Sequence, residues 1–276
     1  MDEINQCYKL GPQKCPLCGK QTTTSKKYNG IYKCSYQHGK FEWFDRTQLE
    51  GLDPSDIFNS LPYSIQIKND YNVMRGKYLR GLKNRILQFY PKTSGISFLD
   101  VGCANGEYLS CAIELGMHPV MGVEIDQTAI SNAVKVAPIL SNISEVDASF
   151  DIILCKNVMG NVDAFQNLLK QLLSLLNPGG VLFLDVLNNY GLTALFKRWR
   201  GKPGMLNPPY IINGFSKEAI FWLVQKNNAE VVKMDTAYCG SDMVPYRWKL
   251  RLFLTGKVAV AAKAGVMILS DVKAKK

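Results

Sequence analysis

Histidine is almost missing from this chain: its 276 residues include two, His38 and His118. Acid–base chemistry that relies on an imidazole near neutral pH is therefore not expected. Long apolar runs are missing too. The longest near the C-terminus, residues 258–270, is broken by Lys263 and falls short of the roughly 20 residues that a membrane span needs. The opening Met-Asp-Glu-Ile-Asn-Gln has neither the basic nor the apolar region of a secretory signal. A membrane partner and secretion are not expected, and a cytoplasmic location is. Neither internal repeats nor low-complexity tracts are present. Eight cysteines occur, but only Cys15, Cys18 and Cys34 fall in a recognisable spacing, while Cys103, Cys111 and Cys155 lie in stretches that read as buried. That pattern fits a reducing compartment rather than a disulfide framework.

With 47% apolar and 20% charged residues, the chain can bury a sizeable core, enough for one catalytic-sized domain and a small appendage. Lys and Arg number 33 against 23 Asp and Glu, a formal net charge of +10. Nucleic acid, an anionic small substrate or an acidic partner would each suit that excess. It is concentrated at Arg75, Lys77, Arg80, Lys83 and Arg85, in residues 197–202, and in the tail Lys273, Lys275 and Lys276. Each run also reads as solvated surface.

Residues 15–44 have few aliphatic side chains, so they cannot hold a fold by burial alone. From 53 to 90 the pattern is helical, with Leu79, Leu82, Ile86 and Phe89 at spacings of three and four. Beyond Pro91, strands are predicted at 96–101, 119–124, 139–143, 150–155 and 181–187, with helices at 106–115 and 164–176 between them. Strand and helix in alternation predict a parallel, doubly wound sheet. Residues 188–214 break that rhythm and are too long for an ordinary connection, which predicts a lid. Ser216 caps a further helix running to about 227. A strand at 230–234, a helix at 251–262 and a strand at 265–272 complete the chain.

The most informative stretch is Asp100-Val101-Gly102-Cys103-Ala104-Asn105-Gly106-Glu107. Small residues at 102, 104 and 106 let the backbone approach a ligand closely at the C-terminal end of the first strand of the sheet. A dinucleotide fingerprint would need Gly at 104 and 107, and neither is present. Asp100 and Glu107 would moreover repel a pyrophosphate. The pocket favours a cation or zwitterion, a description that S-adenosylmethionine meets with its sulfonium and ammonium. Glu124 closes the next strand, where a carboxylate can accept both ribose hydroxyls.

Leu99 to Gly106, Gly122-Val123-Glu124, Phe150-Asp151-Ile152-Ile153 and Asn177-Pro178-Gly179-Gly180, in this order and at these intervals, resemble the ordered motifs of class I S-adenosylmethionine-dependent methyltransferases. The likeness covers residues 96–187, and a looser likeness to the small-molecule branch of the family continues to the C-terminus. It implies an α/β fold, a doubly wound Rossmann-like sheet, preceded by a small zinc-binding module at 1–50 and a helical bridge at 51–95. The methyltransferase domain would then span 96–276, with its lid at 188–214. The implied donor-binding residues are Asp100, Gly102, Cys103, Ala104, Asn105, Gly106, Glu124, Ile125, Asn142, Cys155 and Asn157.

Cys15-Pro-Leu-Cys18-Gly19 and Cys34-Ser-Tyr-Gln-His38-Gly39 form two knuckles that can meet around a tetrahedral, structural zinc. Metal binding would also explain how this core-poor segment folds. A thioredoxin-like CxxC is the competing reading, but its βαβ setting is lacking and the second knuckle would be unexplained. Relatives with an N-terminal zinc ribbon usually show CxxC twice. The CxxxH of this chain resembles instead the zinc hook of ribosomal-RNA guanine methyltransferases.

Methyl transfer from a sulfonium is an in-line displacement, so catalysis rests on proximity, alignment and desolvation. Many relatives carry Glu-His after the fourth strand, where this chain has Gly160 and Asn161, and a histidine is lacking from the lid motif as well. Asn161, Tyr190 and Tyr210 are the candidates for acceptor contact, and each also reads as packing. The leading expectation is a methyltransferase acting on a small-molecule or carrier-bound acceptor, with structural zinc. One alternative is a ribosomal-RNA methyltransferase whose zinc module and basic helix hold phosphates. Another is an interaction protein that keeps the cofactor fold without turnover.

Overall fold

Apolar residues that are buried on both faces of their strands place 98–101, 150–156 and 181–187 in the middle of a sheet. The computed structural model describes residues 13–46 except 26 and 29, residues 63–237 and residues 267–274. In chain order the strands are β1 (Thr23–Thr24), β2 (Ile31–Cys34), β3 (Phe41–Phe44), β4 (Phe98–Val101), β5 (Val120–Val123), β6 (Ile139–Leu140), β7 (Phe150–Lys156), β8 (Leu176–Leu187), β9 (Asn213–Phe215), β10 (Ala229–Ala237) and β11 (Met267–Ala274). The helices are α1 (Tyr63–Ile86), α2 (Glu107–Glu114), α3 (Gln127–Ala133), α4 (Phe165–Ser174), α5 (Leu192–Trp199) and α6 (Lys217–Lys226). No helix among the described residues is long and apolar enough to cross a membrane.

The large sheet has the order β10-β11-β8-β7-β4-β5-β6. Strands β6, β5, β4, β7 and β8 are parallel, in agreement with the doubly wound expectation. The last strand departs from it: β11 runs antiparallel between β8 and β10. Strand β8 also starts earlier than expected, with Leu176 opposite Phe150, so the Asn177-Pro178-Gly179-Gly180 corner lies within it. A Cβ on Gly180 would come within 2.9–3.1 Å of the carbonyls of Asn177, Phe150 and Asp151, a space only glycine fits. Strand β6 ends at Leu140, and a 3-10 turn at Ile143–Glu145 follows it, because the Asn142 side chain accepts from Ser144 N and caps that turn. Residues 188–214, expected to form a lid, contain helix α5, which their Gly, Pro and Asn content had hidden. The expected helix at 251–262 lies outside the described residues, as does the first part of the bridge.

Alternation along the strands sorts the core onto two faces. Leu99, Val101, Ile153, Cys155, Leu182 and Leu184 meet α4 and α6, whereas Phe98, Ile152, Leu154, Val181 and Phe183 meet Leu82 and Ile86 of α1 and Leu109 of α2. At the strands' C-terminal ends this second face turns polar, with Asp100 on β4, Lys156 on β7 and Asp185 opposite Lys156 on β8. Arg85 of α1 reaches across to pair with Asp185 at 2.7 Å, its guanidinium 4.3 Å from the Phe183 ring centre. One charge of the basic helix is thereby taken up inside the protein. Arg75 of the same helix lies 2.5 Å from Glu114. Arg85→Ala is expected to cost roughly 3–5 kcal/mol by stranding a buried carboxylate. Chemical denaturation would measure this, and adding Asp185→Leu should recover part of the loss.

The N-terminal strands form a second sheet, β1-β2-β3-β9, in which Asn213–Phe215 from beyond the lid supplies the fourth strand. Phe41, Phe165 and Phe215 pack with ring centres 5.0–5.6 Å apart, fastening this sheet to α4. Lys226 Nζ donates to Leu17 O at 2.9 Å, and the Gln166 side-chain amide donates to Pro16 O. Burial scarce in the local sequence is thus supplied by residues more than a hundred positions away.

Candidate functional site

Strand order reverses between β4 and β7, and the crevice beyond their C-terminal ends is where such sheets take ligands. Strand β4 ends in the small-residue turn. Gly102 (φ +76°) and Gly106 (φ +85°) occupy left-handed conformations, and so does Ala104 (φ +48°). Gly102 N and Cys103 N both donate to Val123 O, at 2.8 and 3.1 Å. A Cβ on Gly102 would lie 2.3 Å from Val158 Cγ2. Glu124 clasps the turn from the end of β5: one carboxylate oxygen accepts from Ala104 N at 2.8 Å, and the other from Ile125 N and Asp126 N at 2.8 and 3.0 Å. These bonds compensate for a conformation that costs a non-glycine residue about 1 kcal/mol or more.

The other expected donor-binding residues fall around this turn in different ways. Ile125 is half exposed beside Glu124. Asn105 accepts from Asn132 of α3 at 3.0 Å. Asn157 follows β7 with φ +60°, its side chain exposed and its N–H donating to Asp185 O. Asn142 caps the turn after β6. Cys103 lies buried under the turn, close to Gly122, and Cys155 is wholly buried within β7 between Val101 and Leu184.

Three carboxylates, Asp100, Glu107 and Glu124, gather at this turn. Burial, opposed by Lys156 and reinforced by Glu107 and Glu124, pushes the Asp100 carboxyl up to about 8. Burial likewise raises Glu107. Sequence reasoning did not single out the residues that complete this wall. Lys156 Nζ donates to Tyr108 Oη at 2.6 Å and lies 4.8 and 5.6 Å from the ring centres of Tyr108 and Tyr78. Their signal was a lone charge at the end of each apolar strand, Lys156 after Phe150-Asp-Ile-Ile-Leu-Cys and Asp185 after Val181-Leu-Phe-Leu.

In the N-terminal module the structure brings the knuckles together. The ligand atoms of Cys15, Cys18, Cys34 and His38 all lie within 4.8 Å of one another, with Cys15 Sγ 3.5 Å from His38 Nε2 and Cys18 Sγ 3.7 Å from Cys34 Sγ. This group could hold a metal ion. His38 is fully buried, its Nδ1 is without a hydrogen-bond partner, and burial lowers its basicity. Burial, with the neighbouring thiols, raises Cys15 to about 12. A crowded set of three sulfurs and a neutral imidazole is the donor chemistry of a closed cation site.

The acceptor candidates all contact residues of the N-terminal module. Asn161 and Tyr210 present their carbonyls to Arg46, whose Nη2 donates to them at 2.6 and 3.0 Å; its Nε donates to Pro209 O at 2.8 Å, and its Nη1 pairs with Asp163 at 3.1 Å. Tyr190 lies between Lys40 and Arg198, 5.9 and 5.1 Å from its ring centre. Burial, with Glu42 nearby, pushes its hydroxyl above the usual phenol range. Glu42 of β3 accepts from Arg198 at 2.5 Å and from Asn189 at 2.6 Å. The N-terminal module therefore holds residues 188–214 at both ends, through Glu42 and Arg46.

A family profile described as a methyltransferase domain matches residues 74–234. A ubiquinone biosynthesis O-methyltransferase from Neisseria meningitidis serogroup C is 22% identical over 179 residues, covering 60% of this chain. The match spans 66% of that protein's length, just under two thirds. A magnesium protoporphyrin IX methyltransferase from Synechocystis, solved with bound SAH, superposes with a TM-score of 0.56 at 13% identity, covering 84% of this chain and all of that one. A plantazolicin methyltransferase solved with SAH gives 0.53 at 17% identity, covering 80% and 94%. At these identities the solved structures speak for the fold. The profile takes in more than half of the chain, with the turn, the corner and residues 188–214, and on that ground the chain belongs to the methyltransferase-domain family.

Proposed function

We propose that the protein transfers a methyl group from S-adenosylmethionine to a small-molecule or carrier-bound acceptor, with zinc at Cys15, Cys18, Cys34 and His38 as a structural element. The observation that carries this reading is the acid-walled turn: Glu124 already takes up the backbone N–H groups of Ala104, Ile125 and Asp126 that a phosphate would need, and the buried Asp100 carboxyl beside it favours a ligand whose positive charge lets it ionise. When bound, S-adenosylmethionine supplies an electrophilic methyl group on a sulfonium. Asp100 would answer its ammonium, Glu124 its ribose hydroxyls, Ile125 its adenine and Lys156 its carboxylate. The names of two relatives, a ubiquinone biosynthesis O-methyltransferase and a magnesium protoporphyrin IX methyltransferase, support a small-molecule acceptor.

A high phenol pKa keeps Tyr190 protonated, so it would orient an acceptor by donating a hydrogen bond rather than by removing a proton. Zinc fits a closed set of four protein ligands and leaves no position for substrate, which makes its role one of folding.

The test uses proton linkage. A carboxyl raised to about 8 keeps its proton at pH 7 in the free protein, whereas the unfolded chain, with Asp near 3.8, has lost it. Its contribution to stability therefore falls as pH rises from about 4 to about 8. A cationic ligand favours the charged form and expels the proton. Titration calorimetry at pH 7 in buffers of different ionisation enthalpy should show close to one proton released per S-adenosylmethionine bound, and Asp100→Asn should abolish that release. Uptake of NAD or ATP in place of the methyl donor would overturn the proposal.

A further inference from the structure

Helix α5 in the lid is turned inside out. A surface helix ordinarily buries its apolar stripe and offers its charges to water. Here Ala194 is fully buried and Arg198 points inward, donating to Asn189 O at 2.7 Å and pairing with Glu42. Leu195, Phe196 and Trp199 stand outward at 51%, 55% and 81% exposure. Positions 195, 196 and 199 share one face of the helix, and the rings of Phe196 and Trp199 lie 5.7 Å apart.

The surroundings of that face are basic. From Val186 to Lys217 the sequence contains no Asp or Glu, while Lys197, Arg198, Arg200, Lys202 and Lys217 are present. The Arg200 guanidinium lies 5.9 Å from the Phe196 ring centre, and Arg200 and Lys202 are exposed. The Tyr28 hydroxyl donates to Lys202 O, and Lys27 lies over the Tyr28 ring, which adds a cation at the same rim. An outward apolar ridge of Leu, Phe and Trp with cations around it and no acid has the composition of a helix that lies in a lipid headgroup layer. Trp and Phe enter the interface, and Lys and Arg meet lipid phosphates.

We propose that α5 docks the protein on an anionic lipid surface as a peripheral contact, with Leu195, Phe196 and Trp199 inserted and Lys197, Arg200 and Lys202 on the headgroups. The expectation of no membrane partner rested on span length, and an interfacial helix of two turns needs no span. Charge selects lipid over a neutral apolar partner, because residues 186–217 around the ridge supply exposed cations and no Asp or Glu, and Glu42, which pairs with Arg198, is buried. The contact requires no methyl donor, so it stands or falls separately from the methyl-transfer reading.

The full-length protein is tested by flotation with vesicles of phosphatidylcholine containing about 30% phosphatidylglycerol, and with pure phosphatidylcholine vesicles. The wild type is expected to float with the anionic vesicles, weakly or not at all with the neutral ones, and less at high salt. Phe196→Ser with Trp199→Ser should lower the partition by about tenfold or more, and Arg200→Gln with Lys202→Gln should remove the preference for anionic lipid. Should the serine variant fold poorly, the wild-type minus Trp199→Phe emission difference serves instead, and a blue shift on adding vesicles is expected. Absence of flotation, or flotation unchanged by the serine pair, overturns the proposal. So does RNA binding that the pair abolishes without any vesicle binding. A wild-type dimer that the pair converts to monomer, again without flotation, would likewise overturn it and assign the ridge to a second copy of the chain.

Discussion

Glu124→Ala is expected to weaken S-adenosylmethionine binding by roughly 10- to 100-fold, the effect of losing a charged hydrogen-bond acceptor. In the structure this carboxylate holds three backbone N–H groups, of Ala104, Ile125 and Asp126. Its removal therefore takes away a ribose acceptor and also frees the strained turn at Ala104. Glu124→Gln keeps an acceptor oxygen but cannot serve all three N–H groups, and should fall between the alanine variant and the wild type. Titration calorimetry of all three proteins checks the order. Equal affinities would place the ribose elsewhere.

Replacing Cys15 and Cys18 together by Ser should reduce bound zinc from about one per chain to none. It should also cost at least about 4 kcal/mol of stability, since metal binding to such a set is folding free energy. The damage should reach beyond the knuckles. Strand β3 pairs with β9, and Glu42 and Arg46 anchor the lid, so protease should cut residues 188–214 faster in the variant than in the wild type. Metal analysis, denaturant unfolding and limited proteolysis read these three effects. A variant as stable as the wild type, with its lid still protected, would show that aromatic packing of Phe41 on Phe165 and Phe215 suffices.

The RNA alternative placed phosphates on the basic run of α1. Arg85 instead pairs with buried Asp185, and Arg75 lies against Glu114, which takes two of the five charges that reading relied on. The run Lys197 to Lys202 tells a similar story. Read along the chain it is one block of charge; folded, Arg198 turns inward while Arg200 and Lys202 face out beside exposed aromatics.

Much of the site was legible because its signals are local. Glycine and alanine at 102–106 mark left-handed backbone, Glu124 ends an apolar run, and paired cysteines on tight turns are metal-ligand spacing whatever the rest of the chain does. The five parallel strands and the helices α2 and α4 followed from apolar periodicity for the same reason, whereas the short α3 was not expected from the sequence. Lys156 and Asp185 were harder to assign, because a charge at the end of a buried strand is indistinguishable from a solvated strand end until α1 is known to cover it.

From its residues alone, the chain determined a parallel α/β core, a small-residue turn after β4 and a cluster of three cysteines and a histidine that could hold a metal, since each depends on spacings of a few positions. Only the tertiary structure decided that β11 enters antiparallel between β8 and β10, that β9 completes the N-terminal sheet, and that α5 faces its tryptophan outward. These outcomes depend on which surfaces meet across a hundred or more residues. A strand's own sequence specifies an apolar face but not the neighbour that covers it, and a helix's own sequence cannot foresee a buried glutamate waiting for its arginine.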